Sequence, residues 1–134
     1  MKLPRTFYIL LPLIVLACEK NDTDVDALYR RWDFQRQDRV YNENPGDPNS
    51  SPKRSSYSYD DDDYQRFYKF HADQSVDSHN GPGIFRTSGD SLYLDFNGNI
   101  SGFRYALRKR ELSLTQTITD SGHYEEVTWV LRAR

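Results

Sequence analysis

Cysteine is nearly missing from this chain: Cys18 is the only one among 134 residues. A disulfide within the chain is therefore impossible. Basic clusters are missing too. Lys and Arg total 18 against 20 Asp and Glu, for a net charge of −2, and the basic residues are scattered. That balance lacks the electrostatic footprint of a nucleic-acid binder. No Gly-rich loop leads into a helix to cradle phosphate, and no serine sits in a nucleophile-elbow pattern. Carboxylates such as Asp38, Glu111 and Glu125 are of a kind found in any acidic protein, so they argue for no chemistry. An enzyme is not expected, and neither is a cofactor.

Metal sites are equally short of support. Four adjacent Asp residues, Asp60 to Asp63, project in different directions and lack the alternation and bend glycine of a calcium loop. His71 and His79 flank a turn at 73–75. A tight hairpin there sets His79 opposite residue 67 or 68, on the order of 10–13 Å along the ladder from His71. Zinc needs nitrogens about 2 Å from one centre. His123 lies at a turn far along the chain. No metal is expected.

What is present begins with an apolar run, Phe7 to Cys18, preceded by Lys2 and Arg5. It is too short to span a bilayer comfortably and ends in a small residue before the cysteine. This is the layout of a secretory signal peptide over 1–17, cut between Ala17 and Cys18. Val15-Leu16-Ala17-Cys18 resembles the lipobox of bacterial lipoproteins. That resemblance implies a thiol carrying diacylglycerol and a new N-terminus acylated in turn, with fatty-acyl groups such as palmitate. It also accounts for an unpaired cysteine in an exported protein. Acyl anchoring scales with about 0.8 kcal/mol per buried CH₂. The implied location is the bacterial cell envelope, lipid-anchored on the outer membrane at its periplasmic face or the cell surface.

Residues 18–26 form an acidic tether without apolar periodicity. The segment resembles the surface-export signals of Bacteroidetes lipoproteins, and a plain spacer fits it as well. The folded domain then runs from 27 to 134, enough for one core. Asp24 or Asp26 can cap a single turn leading to Leu28. From Trp32, apolar residues alternate through Phe34 and Val40, as in a strand with one buried face. Residues 42–63 change character: three prolines, many polar turn formers and few apolar residues predict a long mobile loop.

Short strand signals follow. Tyr64, Tyr68 and Phe70 share one parity, and a weak strand surrounds Val76. Ile84 to Thr87 is brief. Leu92, Leu94 and Phe96 alternate before Asn97-Gly98, a hairpin signal. Phe103, Tyr105 and Leu107 alternate next, then Leu112 and Leu114, and Val127, Trp129 and Leu131 close the chain. About eight antiparallel strands with short connections fit an all-β, up-and-down barrel. A β-sandwich is the alternative, because alternation does not say which strands pair.

The succession Leu28…Trp32, Phe70-x-x-Asp73, Gly83-x-Phe85, Gly89-Asp90-x-Leu92, Tyr105-x-Leu107 and Leu112-x-Leu114 resembles the lipocalin-like domains of Bacteroidetes lipoproteins. It covers nearly all of the folded domain. The resemblance implies that Trp32 closes one end of the barrel, with Arg132 as the match for the arginine beside it. Arg30 stands where the family usually has a glycine. It also implies a role in carrying or sensing a small apolar or amphipathic molecule.

Arg36 is the sharpest single candidate. At inward parity, an Arg costs several kcal/mol unless it is paired or reaches water. Arg36 with Tyr68 and Tyr105 would suit the carboxylate of an amphipathic ligand. Alternatively Asp38 pairs with Arg36, a bulge turns it outward, or the strand projects past the core. Inward aromatics (Trp32, Phe34, Phe70, Phe85, Phe103, Trp129) are either core or cavity lining. Three functions follow: a membrane-anchored binding module, an accessory subunit of an envelope complex with a filled barrel and an unknown protein partner, or a hydrolase or isomerase. The first two lead.

Overall fold

The computed structural model describes residues 25–60, 65–120 and 122–134. The expected signal peptide, Cys18, most of the tether, Asp61 to Asp63 and Tyr64 lie outside the described residues.

The described chain begins with one 3₁₀ turn, Val25–Leu28, in which Asp26 O accepts from Tyr29 N at 3.2 Å. Nine strands follow among the described residues: β1 (Arg31–Asn42), β2 (Lys53–Ser58), β3 (Phe67–Phe70), β4 (Ser75–Ser78), β5 (Gly81–Ser88), β6 (Ser91–Phe96), β7 (Asn99–Arg108), β8 (Glu111–Asp120) and β9 (His123–Ala133). All pairings are antiparallel, and β1 also pairs with β9, which closes the sheet on itself. Closure through β1 and β9 is what separates this from a sandwich, since it leaves the barrel portion itself without an exposed edge. The Asn97-Gly98 turn joins β6 to β7 with φ of 57° and 85°, the left-handed pair a type I′ hairpin demands.

β2 and β3 lie end to end along one edge of β1. Arg31 to Asp33 pair with Lys69 to Phe67, and Arg36 to Tyr41 pair with Ser58 to Lys53. The molecule is thus an eight-stranded barrel with one extra strand. The expected mobile loop over 42–63 is corrected here, because it contains β2. Every residue of β2 is exposed, so no apolar alternation marks it in the sequence. Its partner strand holds it, and side chains shape the approach: Asn42 Oδ1 accepts from Asn44 N and from Ser50 Oγ, and Asp47 Oδ1 accepts from Asn49 N.

A β-bulge interrupts β1 between Phe34 and Arg36. One extra residue, Gln35, reverses the facing of everything after it. Trp32 and Phe34 therefore point inward, but so do Gln37, Arg39 and Tyr41, while Arg36, Asp38 and Val40 point outward. The chain leaves β2 and rejoins β3 at the same place, for Tyr59 N donates to Gln35 O at 2.8 Å and Phe34 N to Arg66 O at 3.0 Å.

The end of the barrel nearest the 3₁₀ turn is closed. Leu28 and Trp32 are both fully buried, and Trp32 Nε1 donates to Leu28 O at 3.0 Å. Phe70, Val76, Leu92, Leu94, Leu112, Leu114 and Leu131 fill the space above them. A barrel of eight strands is just wide enough for side chains to do this. The other end is open and lopsided. β7 pairs with β8 only from Arg104 to Arg108, and its residues Asn99 to Phe103 serve β6. Past the bulge, β2, β1, β9 and β8 continue as a four-stranded sheet to which no further strand is added among the described residues.

Candidate binding cleft at the open end

Where filled barrel gives way to open sheet, a cleft of about 160 Å³ remains. Its floor and walls are Phe34 from β1, Tyr68 from β3, Phe103 from β7, Leu114 from β8 and Trp129 from β9, with Tyr59, Arg66, His79 and Asn80 at the rim. The rings support one another edge to face. Phe34 sits 5.1 Å from Tyr68, 5.6 Å from Tyr59 and 5.9 Å from the His79 ring. Phe103 and Trp129 meet at 5.8 Å and 83° across the opposite wall. Such offset contacts between quadrupoles add about 0.5–1.5 kcal/mol per pair beyond burial, which makes the walls stiff.

Polar groups border the rings. Tyr59 Oη donates to Gln37 Oε1 at 2.9 Å, fixing that ring from the inner face of the open sheet. Burial raises the Tyr68 phenol above its ordinary value, with the neighbouring Tyr59 adding to the shift. His79 Nδ1 lies 3.3 Å from Phe67 O, and a carbonyl accepts only, so in the neutral ring that nitrogen carries the hydrogen. The Arg66 guanidinium stands 5.2 Å over the Tyr59 ring. The arrangement offers an aromatic slot with one cation and an amide at its lip. It can hold a flat or slender apolar group by dispersion and receive a polar or anionic end at the rim.

The residues named from sequence fare differently. Tyr68 is in the cleft. Tyr105 faces inward opposite Leu114 and is buried, and its Oη has no hydrogen-bond partner among the described residues. Burial raises its phenol, and the Asp90 carboxylate adds to the effect. Arg36 belongs elsewhere. The bulge turns it to the outer surface, where Arg36 Nε donates to Asp38 Oδ2 at 3.0 Å and its side chain is 50% exposed. The three-residue site of Arg36, Tyr68 and Tyr105 is therefore not assembled. Around Asp38, partial burial pulls the pKa up, but hydrogen bonds from Ser56 and Arg36 and the Arg36 charge outweigh it and leave the carboxyl lowered.

Trp32 occupies the barrel-closing position that the lipocalin resemblance implies. Arg132 does not stand beside it: the residue is exposed and faces outward opposite Asp33 and Glu111. Arg30 lies 5.7 Å over the Trp32 ring instead. Among the histidines, His71 Nε2 meets Asp77 Oδ2 at 2.8 Å, His79 borders the cleft, and His123 lies 3.6 Å from Glu125. Among the described residues no three His, Cys, Asp or Glu side chains converge as metal ligands would.

Tyr59, Arg66 and Asn80 were not singled out by sequence reasoning, and His79 only as a metal ligand. The alternation of Tyr57 and Tyr59 was the available signal. No family model, no curated protein and no solved structure matches the chain.

Proposed function

We propose that this protein is an envelope lipoprotein, anchored through acylated Cys18 at the outer membrane, whose lipocalin-like barrel binds a single ring or chain end of a small apolar or amphipathic molecule. The observation that carries this reading is the cleft of about 160 Å³ walled by aromatic rings above a filled interior. Drug-sized ligands occupy pockets of about 300–1,000 Å³, so an entire lipid has no room inside. A dry apolar cavity of roughly 150 Å³ accommodates benzene. The occupant is accordingly ring-sized, with its polar end toward Arg66, His79 and Asn80. The protein acts by binding and not by catalysis.

The two tryptophans allow a direct test. Trp129 lines the cleft, whereas Trp32 is fully buried at the closed end. Titration with one-ring carboxylates and short amphipaths should change Trp129 emission saturably, and Trp129→Phe should abolish that change. A flat response across the whole set, by fluorescence and by calorimetry, would end the ligand reading. The accessory-subunit reading, favoured by the packed interior, would then take its place. Native mass spectrometry of protein taken from its membrane tests the anchor separately, because a free Cys18 thiol in mature material is incompatible with it.

A further inference from the structure

The two large hydrophobic side chains most exposed among the described residues share one patch of the barrel's outer wall. Ile84 on β5 is 60% exposed and Ile100 on β7 is 64% exposed. Asp95 of β6 pairs with both, so they flank it one strand to either side, about 9–10 Å apart. An open groove of about 240 Å³ runs between them, lined also by Asp73, Gln74, Arg86 and Tyr93. Tyr93 leans over Gly102, where a Cβ would come within 3.2 Å of its Cε1, and the Arg86 guanidinium lies 3.9 Å over that ring. Arg86 meets no carboxylate among the described residues. Isoleucines scattered singly on a surface are ordinary, but two of them around a charged groove form an amphipathic patch. The place where the chain enters says what this patch faces. Tyr29, directly after the 3₁₀ turn, packs on Phe85 of the groove at 6.4 Å, and Phe85 N donates to Gln74 O at 2.9 Å. The groove therefore opens beside the point at which the tether from Cys18 reaches the barrel.

We propose that this patch rests on the phospholipid surface in which Cys18 is anchored, with Ile84 and Ile100 at the boundary between headgroups and acyl chains. The inference rests on the acylated Cys18 of the proposed function. Seven peptide steps from Cys18 to Val25 reach at most about 25 Å, so the flank beside Tyr29 stays within reach of the lipid at all times. The charges of the groove match a zwitterionic surface. Arg86 suits lipid phosphate, and the Asp73 and Asp95 carboxylates suit the ammonium groups beside it. A purely anionic surface fits less well, because the groove holds two carboxylates against one guanidinium. Two isoleucines offer too little apolar area to hold a protein on a bilayer alone. The tether makes up the difference, since a second contact on a short linker forms intramolecularly.

Acylation blocks the Cys18 thiol, so a single introduced cysteine takes a spin label alone. Full-length acylated Ile84→Cys and Ile100→Cys, labelled in vesicles of phosphatidylethanolamine and phosphatidylcholine, should lose access to a water-soluble nickel chelate and gain access to oxygen. Interfacial apolar faces of this kind sit about 5–10 Å deep. A label at Arg54→Cys should stay open to the chelate. β2 is carried on β1, which stands four places from β6 in either direction round the eight barrel strands, on the far side of the barrel. Ile84→Asp in the Ile100→Cys protein should restore chelate access at position 100 while the protein still floats with the vesicles. Docking is overturned if the protein floats but the labels at 84 and 100 are as open to the chelate as the label at 54, or if all three are shielded alike. Failure of the anchor looks different: Cys18 itself takes label and the protein does not float, which removes the docking together with the anchor.

Discussion

Strand β1 belongs to two structures along its length. From Arg31 to Phe34 it is a stave of a closed barrel, with Trp32 fully buried and roofed by the 3₁₀ turn. From Arg36 to Asn42 it is a middle strand of an open sheet, whose inner face carries Gln37, Arg39 and Tyr41 opposite Trp129, Val127 and Glu125. One half has dry packing on its inner side. The other has an ion pair, Arg39 to Glu125 at 2.7 Å, and a tyrosine hydroxyl bonded to Gln37. The junction is a single extra residue. A bulge there lets one strand feed a hydrophobic core and a polar surface without any change of direction in the chain, and the cleft forms at that seam.

The two tryptophans, one in each region, give the widest test of this contrast. Trp32→Ala should destabilise by about 3–5 kcal/mol, the range for deleting a large aromatic from a core that cannot collapse. Trp129→Ala, which enlarges a cleft already open, should cost clearly less in the same denaturant titrations. Equal losses would mean that the open end is packed as firmly as the closed one.

Tyr105 marks how far the dry region extends. Its buried hydroxyl lacks a partner among the described residues, and an unsatisfied buried polar group costs about 1–3 kcal/mol. Tyr105→Phe should therefore stabilise the barrel by about 1 kcal/mol. A loss of stability would show that polar contact reaches this deep, and would extend the cleft downward to include it.

Alkaline pH probes the cleft itself. The Tyr68 phenol is raised above its ordinary 10.0, first by burial. A group of this kind contributes stability that is complete below its unfolded value and is lost as pH rises through the folded one. Resistance to thermal denaturation should accordingly fall above about pH 10, and Tyr68→Phe should remove part of the effect. If the variant's profile overlays the parent's, Tyr68 is wetter than its rings suggest.

The smallest effects belong to the outer surface of the open half. Arg36→Ala should cost at most about 1 kcal/mol, the upper range for an exposed ion pair, and leave ligand affinity unaltered. A lowered folded value for Asp38 means that its contribution is present above its ordinary 3.8 and fades as pH falls through the lower one. Both belong to surface chemistry.

Much of the barrel was legible because inward residues of a small closed sheet must be apolar. Leu92, Leu94, Leu112 and Leu114 alternate with less apolar neighbours, and Asn97-Gly98 names its own turn. What could not be read has physical causes. A bulge costs nothing in hydrophobic pattern when the residues around it are Gln35 and Arg36, so the reversal of facing left no trace. β2 buries no side chain, and a strand held only by backbone pairing has no apolar period to detect. The site suffered accordingly. Tyr68 faces inward as its parity predicts, because it lies in a regular stretch of barrel, whereas counting straight through the bulge assigns Arg36 to the interior. Arg66 and Asn80 lie in connections between strands, where no periodicity says which way a side chain turns.

The roofed end of the barrel also limits how far the molecule can stand from an anchor at Cys18. The chain arrives there, and only six residues separate Cys18 from Val25. That is a span of at most about 25 Å even fully extended. If Cys18 carries the acyl anchor, the Trp32 end is held within that distance of the bilayer surface, and the slot at Phe34 lies only two residues farther along β1. A hydrophobic molecule leaving the lipid would then have only a short distance to travel to the slot.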